Sequence, residues 1–441
     1  MKIFVNKFKD LYENLFYVSF TCLILSTIFK INWLQLNNIY FFDLLKFFSL
    51  SIILLILTIF FFSFSLFKNI KYLSFFFLII IIFLIREKLS INLINFRSEL
   101  ILILLILLKY FLTYFKFNVN YFFYFILFNN IFLIFFNFPN FLVKLNFFYL
   151  IPVELYSGDI TNLYENHKYF SLIEQYNSTY VIFFCFFIIN INFLKIKKSI
   201  FIYLINFINF LIIYYSGPDY LKFTIILFSI FYFFLDKFSL NNLKKITIFF
   251  YLFMIVFSIF FSSTKFQTYF YKSLYFIETK FFEQNHKPHV NNSCVNNEYI
   301  YQHAGIDIYE KNCLIKFQYP FYSLSKRIIM QQNYNNIFLS KLRNILFGLK
   351  TNDLKKLEQD RNFTHNSFLN LFFKYGSIVT IILCAFFLKS ILSKNNSKLY
   401  LIIIISFLIM LFFDDYLVGN KIATSFFLWI VLFFPNLQNE I

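Results

Sequence analysis

Charged residues are scarce in this chain, and so are glycine and proline. Only 14% of its 441 residues are Asp, Glu, Lys or Arg, and it has 6 glycines and 6 prolines, whereas 60% of the residues are hydrophobic. A soluble domain carries about a quarter charged residues, so this composition excludes an ordinary soluble protein. The chain also lacks the self-similarity at a fixed period that marks a repeat array. We expect an all-α polytopic membrane protein.

Apolar windows of the length that crosses a bilayer as a helix recur along the chain. They predict about twelve transmembrane helices, at about 14–30, 47–67, 71–86, 99–116, 119–138, 178–194, 199–215, 220–236, 246–264, 367–389, 399–415 and 420–435. The first window follows basic residues, as a signal peptide would. Because it lacks a small-residue cleavage site and further spans follow, we expect it to remain as a helix.

The formal net charge of +18 does not indicate a nucleic-acid partner, because the lysines concentrate in short connections between the apolar windows. This is the positive-inside pattern, and it predicts cytoplasmic N- and C-termini. Residues 1–264 then form a membrane domain of about nine helices and residues 366–441 one of about three. Residues 265–365 form a large loop outside the cytoplasm.

This loop contains four of the five histidines and two of the five cysteines. Cys294 and Cys313 would be able to pair in an oxidising compartment, and closing a loop of about 20 residues would stabilise the segment by roughly 3 kcal/mol. A solvated loop with free thiols is equally open. No cysteine has the close cysteine partner of a structural zinc site, so we predict no metal.

Within the loop, apolar and basic residues alternate in an amphipathic pattern from about Phe317 to Leu346. The pattern predicts helices that lie over the membrane domain and end at Gly348. Arg327 and Arg343 are candidate phosphate ligands, because a guanidinium can hold phosphate oxygens in a bidentate fork. The alternative is that both are solvated or face lipid headgroups.

His365 and Asn366 open the next span, at its outer end. A histidine with an ordinary pKa of about 6.5 can accept a proton from an attacking hydroxyl or help to hold a phosphate. Asn366 or Ser367 would cap the incoming helix, and the free amides at the helix start would add to an anion site. A purely structural histidine at the membrane boundary is the alternative.

Four short motifs resemble the bacterial O-antigen ligase and O-antigen polymerase superfamily of membrane glycosyltransferases. They are Ser-Lys-Arg-Ile-Ile-Met at 325–330, Ile-Leu-Phe-Gly at 345–348, His-Asn-Ser-Phe-Leu-Asn at 365–370 and Tyr-Gly-Ser-Ile at 375–378. In that family the arginine begins a periplasmic helix, the glycine closes it and the His-Asn pair starts the next span. The chain departs from the family at Lys222, which stands near where an arginine is often found.

The resemblance implies a location in the bacterial inner membrane, with the large loop periplasmic. It also implies a reaction in which an acceptor sugar hydroxyl attacks a glycan carried on undecaprenyl pyrophosphate, without metal or other cofactor. Arg327 and His365 would be the catalytic residues. Lys222, Arg343 and Asn366 would bind the pyrophosphate, and Glu154 or Asp159 would orient the acceptor.

Other functions stay open at this point. A polymerase joins repeat units, whereas a ligase moves the finished chain to the lipid A-core of lipopolysaccharide; we slightly favour a polymerase, because the loop lacks a dense basic patch for a phosphorylated core. Other polysaccharide-assembly membrane proteins are possible partners. The main alternative is a flippase for the same lipid-linked oligosaccharide, and a scaffold of a cell-wall assembly complex is a third class.

Overall fold

The fold of the chain is known here from a computed structural model. It describes residues 9–28, 35–36, 39–63, 70–86, 97–114, 119–144, 177–194, 198–261, 301–303, 306–308, 334, 337–354, 366–392, 397–413, 428 and 430–431. Nearly all of these residues are helical, so the expected all-α class holds for this part of the chain.

The helices follow one another in the order expected from the apolar windows. They are α1 (Lys9–Ile28), α2 (Phe41–Ser63), α3 (Ile70–Arg86), α4 (Arg97–Tyr114), α5 (Val119–Lys144), α6 (Asn177–Leu194), α7 (Ile200–Ser216), α8 (Asp219–Phe233), α9 (Leu240–Phe261), a short α10 (Leu342–Phe347), α11 (Ser367–Leu392) and α12 (Lys398–Phe413). A 3-10 turn (Leu235–Lys237) separates α8 from α9.

Two short antiparallel ladders accompany the helices. The first pairs β1 (Gln35–Leu36) with β2 (Ile39–Tyr40), and the second pairs β3 (Tyr301–His303) with β4 (Ile306–Ile308). The second ladder aligns Gln302 with Asp307. With strands of only two or three residues, neither ladder changes the helical character of the described chain.

Within the described part of the chain, three helices are long and apolar enough to cross a membrane, over Leu44–Phe61, Leu240–Ser258 and Ser367–Lys389. Six shorter apolar helical segments accompany them. These sequences are rich in phenylalanine and isoleucine, which are only moderate helix formers in water. In lipid the backbone must satisfy its own hydrogen bonds, and a helix does so within one segment. The described helices therefore support a membrane protein.

Helices α6 and α12 lie at the centre of the bundle. Every residue of α12 from Leu399 to Leu411 is buried, and so is every residue of α6 from Thr179 to Leu194. Helix α12 packs against α8 and α9, and α6 packs against α7. Without a hydrophobic driving force between helices in lipid, such contacts are held by close van der Waals packing.

The outer helices keep large apolar side chains exposed. On α7, Ile200 is 87% exposed and Phe207 60%, and on α8 Phe233 is 81% exposed. Many such residues on one molecule would promote aggregation in water, whereas a lipid environment accommodates them. These exposed faces agree with helices that border lipid.

Eleven of the predicted windows coincide with helices, from α1 to α9 and at α11 and α12. The twelfth window, at about 420–435, lies mostly outside the described residues. Most of the predicted loop at 265–365 lies outside them too, as does the amphipathic stretch before residue 334. The end of that stretch is described, and α10 ends there at Gly348 as predicted.

Candidate functional site

Helix α11 is interrupted at Gly376, whose φ of 73° and ψ of 179° are not helical. A break of this kind leaves the carbonyl groups just before it open to partners from outside the helix. The Phe373 carbonyl accepts a hydrogen bond of 2.7 Å from the Leu349 backbone N–H. The Lys374 carbonyl accepts one of 2.7 Å from Nη1 of Arg86. The break is therefore stabilised by two segments distant in sequence.

The backbone at 346–349 lies directly against the backbone at 373–376, and we call this contact the glycine clasp. Gly348 also has a positive φ, of 89°. A Cβ atom at Gly348 would collide with the Lys374 carbonyl, and one at Gly376 would collide with the Leu346 carbonyl. Only glycine adopts these dihedral angles at no cost and leaves room for the facing chain. The clasp brings two of the four sequence motifs into contact.

Arg86 ends helix α3 and is only 2% exposed. Its Nη1 binds the Lys374 carbonyl, and its Nη2 lies 3.3 Å from the Thr351 hydroxyl oxygen. The guanidinium carbon lies 5.4 Å from the centre of the Phe83 ring. A planar guanidinium serves such divergent partners better than an ammonium would. Arg86 thus joins α3 to the glycine clasp.

Arg343, one of the predicted pyrophosphate ligands, lies in the same place. Its Nη2 donates to the Ile85 carbonyl at 2.6 Å and to the Arg86 carbonyl. These carbonyls belong to the last turn of α3, where helices carry partial negative charge and favour a cation. The structure therefore gives Arg343 a role in capping α3, alongside any role toward phosphate.

Lys374, whose backbone carbonyl binds Arg86, is itself a buried basic residue. It is only 5% exposed, although it lies seven residues into an otherwise apolar helix. Among the residues that the structure describes, no carboxylate pairs with Arg343 or with the Lys374 ammonium. A buried ammonium without a counter-charge is costly. We name Arg86, Arg343 and Lys374, which are joined through the backbone carbonyls of Arg86 and Lys374, the cation cluster.

Asn366 begins α11 and caps it as predicted. Its Oδ1 accepts from the Leu369 backbone N–H at 3.0 Å, the bond of a helix N-cap to its third residue. Its Nδ2 lies 3.0 Å from the Ser258 hydroxyl oxygen near the end of α9. Beside it, a narrow gap between α9 and α11, too small to admit a water molecule, is lined by Ile255, Ser258, Phe368, Leu369, Phe372, Thr380 and Cys384.

Lys222 lies elsewhere, in the first turn of α8. Its ammonium pairs with Asp219 at 3.1 Å, with 32% of the lysine side chain and 76% of the aspartate side chain exposed. No contact joins Lys222 to the cation cluster among the residues described. Its charge is already partly balanced by Asp219, and its predicted pyrophosphate role stays a prediction.

The other predicted site residues lie outside the described part of the chain. They are the catalytic candidates Arg327 and His365, the acceptor-orienting candidates Glu154 and Asp159, and the disulfide candidates Cys294 and Cys313. The described cysteines Cys22, Cys185 and Cys384 are free thiols. No group of three or more metal-ligating side chains occurs among the described residues.

Arg86 and Lys374 were not among the site residues predicted from the sequence. Lys374 could have been found, because a lone lysine inside an apolar span is rare and signals a functional or buried site. Arg86 gave a weaker signal, since a basic residue at the end of a span is ordinary. Its importance comes from contacts with residues more than 260 positions away in sequence.

Comparison with protein-family models, curated proteins and solved structures finds no match for this chain.

Proposed function

We propose that this protein is a membrane glycosyltransferase that transfers a glycan from an undecaprenyl-pyrophosphate donor to an acceptor sugar hydroxyl on the outer side of a bacterial inner membrane. A polymerase of surface polysaccharide repeat units is slightly favoured over a ligase. The proposal includes about twelve transmembrane helices and a large periplasmic loop.

The observation that carries the proposal is the cation cluster and its position. Arg86, Arg343 and Lys374 belong to three separate segments, yet they are linked through the carbonyls of Arg86 and Lys374. The glycine clasp beside them joins the motif at 345–348 to the motif at 375–378. Two of the four motifs that suggested the family thus meet beside the residues of the cation cluster.

The proposed transfer reaction requires cations near the pyrophosphate. The acceptor oxygen forms a bond to the anomeric carbon as the bond from that carbon to the pyrophosphate oxygen breaks, and negative charge grows on the leaving undecaprenyl pyrophosphate. Fixed cations in a site of low dielectric stabilise that charge. The proton of the acceptor hydroxyl goes to a general base, for which His365, next to the helix-capping Asn366, is our candidate. Arg327 is proposed as a further phosphate ligand.

The proposed orientation determines on which side of the membrane the site would lie. Arg86 lies at the C-terminal end of α3, the third helix, and Ser258 lies near the C-terminal end of α9, the ninth. Asn366, which contacts Ser258, lies at the N-terminal start of α11. If the N-terminus is cytoplasmic, odd-numbered crossings end outside and the span after the large loop begins outside. The cation cluster and the capping asparagine then share the outer side.

Transfer by the purified protein tests the function. The protein in lipid nanodiscs is incubated with undecaprenyl-pyrophosphate-linked oligosaccharide, with and without a lipid A-core acceptor, and the products are separated by mass. Longer lipid-linked chains support a polymerase, and glycan on the core supports a ligase. If neither product forms while the donor moves between leaflets of a proteoliposome, the protein is a flippase and the proposal fails.

The site is tested by neutralising its cations one at a time. Undecaprenyl pyrophosphate, the product, should inhibit glycan transfer. Lys374→Met should raise the concentration of it that halves the transfer rate, because the change removes a buried positive charge. Lys237→Met is the matched control, since Lys237 is exposed and rests on the Phe234 ring away from the site. Lys222→Met tests the predicted second contact. If the same concentration of undecaprenyl pyrophosphate half-inhibits Lys374→Met and Lys237→Met, the cation cluster does not bind the pyrophosphate.

The flippase alternative is favoured by one observation. Lys374 and several buried asparagines lie inside apolar helices, and transporters carry polar residues along an internal path. A flippase would move donor across the membrane without cleaving it, which the reconstitution above detects.

A further inference from the structure

Asparagines are buried in the interior of three consecutive helices. Seven of them are at most 6% exposed, and they lie on α5, α6 and α7: Asn129, Asn130, Asn137, Asn190, Asn192, Asn206 and Asn209. Each of the three helices packs against the other two. An amide side chain inside a membrane needs hydrogen-bond partners, because lipid and apolar side chains offer none.

Three of these amides lack such partners. In Asn130, Asn190 and Asn209, neither the side-chain oxygen nor the nitrogen has a hydrogen-bond partner within the described structure, and each side chain is fully buried. By contrast, Nδ2 of Asn192 donates to the Ile188 carbonyl at 3.3 Å and Nδ2 of Asn206 to the Phe187 carbonyl at 3.3 Å. Each unpartnered amide retains two N–H donors and an accepting oxygen.

The three amides lie near one shared apolar layer of the bundle. Phe123 of α5, Phe193 of α6 and Ile202 of α7 form one apolar layer. Asn130 follows Phe123 by seven residues, and Asn209 follows Ile202 by seven residues, which is about 10 Å along each helix axis. Asn190 lies one turn from the layer on α6. All three therefore lie within about two helical turns of a layer that α5, α6 and α7 share.

We propose that Asn130, Asn190 and Asn209 bind internal water molecules in a polar site enclosed by α5, α6 and α7. Water donates and accepts, as these amides require, and buried waters commonly bridge otherwise unsatisfied groups. The ligand is uncharged, because none of the three helices contains an aspartate or glutamate and a cation would lack a counter-charge there. The site does not depend on the proposed transferase activity.

Hydroxyl-radical labelling detects such water. A brief X-ray pulse forms radicals from water, which oxidise only side chains beside it. Asn209→Cys and Ile212→Cys place a thiol at two buried positions of α7, one beside the amides and one a turn away, and buried Cys185 of α6 is the internal reference. We expect the thiol at 209 to oxidise several times faster than the other two. Equal rates would overturn the proposal.

Thermal unfolding gives a second test that does not require the cysteine variants to fold. If water satisfies the amides, Asn209→Leu removes partners of that water and lowers the Tm. If the amides were dry, the same change would remove an unsatisfied polar group and raise the Tm. Asn192→Leu is the matched control, because its amide is bonded to Ile188 and its loss lowers the Tm in both cases. A higher Tm for Asn209→Leu refutes the water site.

Discussion

Replacing Gly376 with alanine tests the glycine clasp most directly. The residue has a φ of 73° and a ψ of 179°, a backbone conformation that costs an L-residue with a Cβ atom about 1–3 kcal/mol. The added methyl group would also collide with backbone atoms of Leu346 and Phe347. Because these neighbours are backbone atoms, the chain must shift, and overpacking of this kind costs about 1–3 kcal/mol. We expect a loss of stability on the order of 2–6 kcal/mol.

The measurement is the free energy of unfolding in mixed micelles as a denaturing detergent is titrated, followed by helix content. Ser377→Ala is the matched control, since it introduces alanine at the next position of α11 without either constraint. Gly376→Ala should also weaken binding of undecaprenyl pyrophosphate, because the Lys374 carbonyl that Arg86 holds lies beside the collision. If Gly376→Ala and Ser377→Ala have the same free energy of unfolding, the backbones at 346–349 and 373–376 are not in contact and the glycine clasp is refuted.

The remaining predictions concern the ends of helices α3 and α11. Asn366→Ala should lower the free energy of unfolding by about 1 kcal/mol through loss of the cap, and Asn366→Asp should recover most of it, because a carboxylate still accepts from the Leu369 N–H; equal losses in both variants would contradict the cap. Arg86→Met should destabilise the protein more than Arg343→Met, because Arg86 is buried and its loss leaves the Lys374 carbonyl without its hydrogen-bond donor. The same detergent titration compares the free energies of unfolding of the two variants. Arg343→Lys should retain stability, since one ammonium can still reach a carbonyl at the end of α3. It should weaken the inhibition of glycan transfer by undecaprenyl pyrophosphate, because a lysine cannot form a bidentate fork. Unchanged inhibition would argue against phosphate binding by Arg343.

The positions of the helices could be predicted because they follow from local composition. An apolar run of sufficient length is helical in lipid wherever it lies, since its backbone has no other way to satisfy its hydrogen bonds. Asn366 and Gly348 were predicted at their helix ends for a similar reason, because caps act within a few residues. These features need no knowledge of the rest of the chain.

The contacts around the break in α11 could not be predicted in the same way. Nothing near Arg86 in sequence shows that its guanidinium reaches the carbonyl of Lys374, 288 residues later. The sequence identified Gly376 only as part of a short motif, and its positive φ becomes meaningful once the backbone at 346–349 is seen against it. The site is therefore a property of how the helices pack.

Arg343 shows how one residue can serve both the fold and the chemistry proposed. A guanidinium carries five N–H donors, and the two on Nη2 account for the bonds to the carbonyls of Ile85 and Arg86. The three donors on Nη1 and Nε have no partner among the described residues, and the side chain is partly exposed. The cap on α3 fixes the plane of the guanidinium, so the free edge is held in place before any anion arrives. Such preorganisation is what makes a fixed cation effective against charge that grows during a reaction, and a lysine capping the same helix would have no second edge to offer.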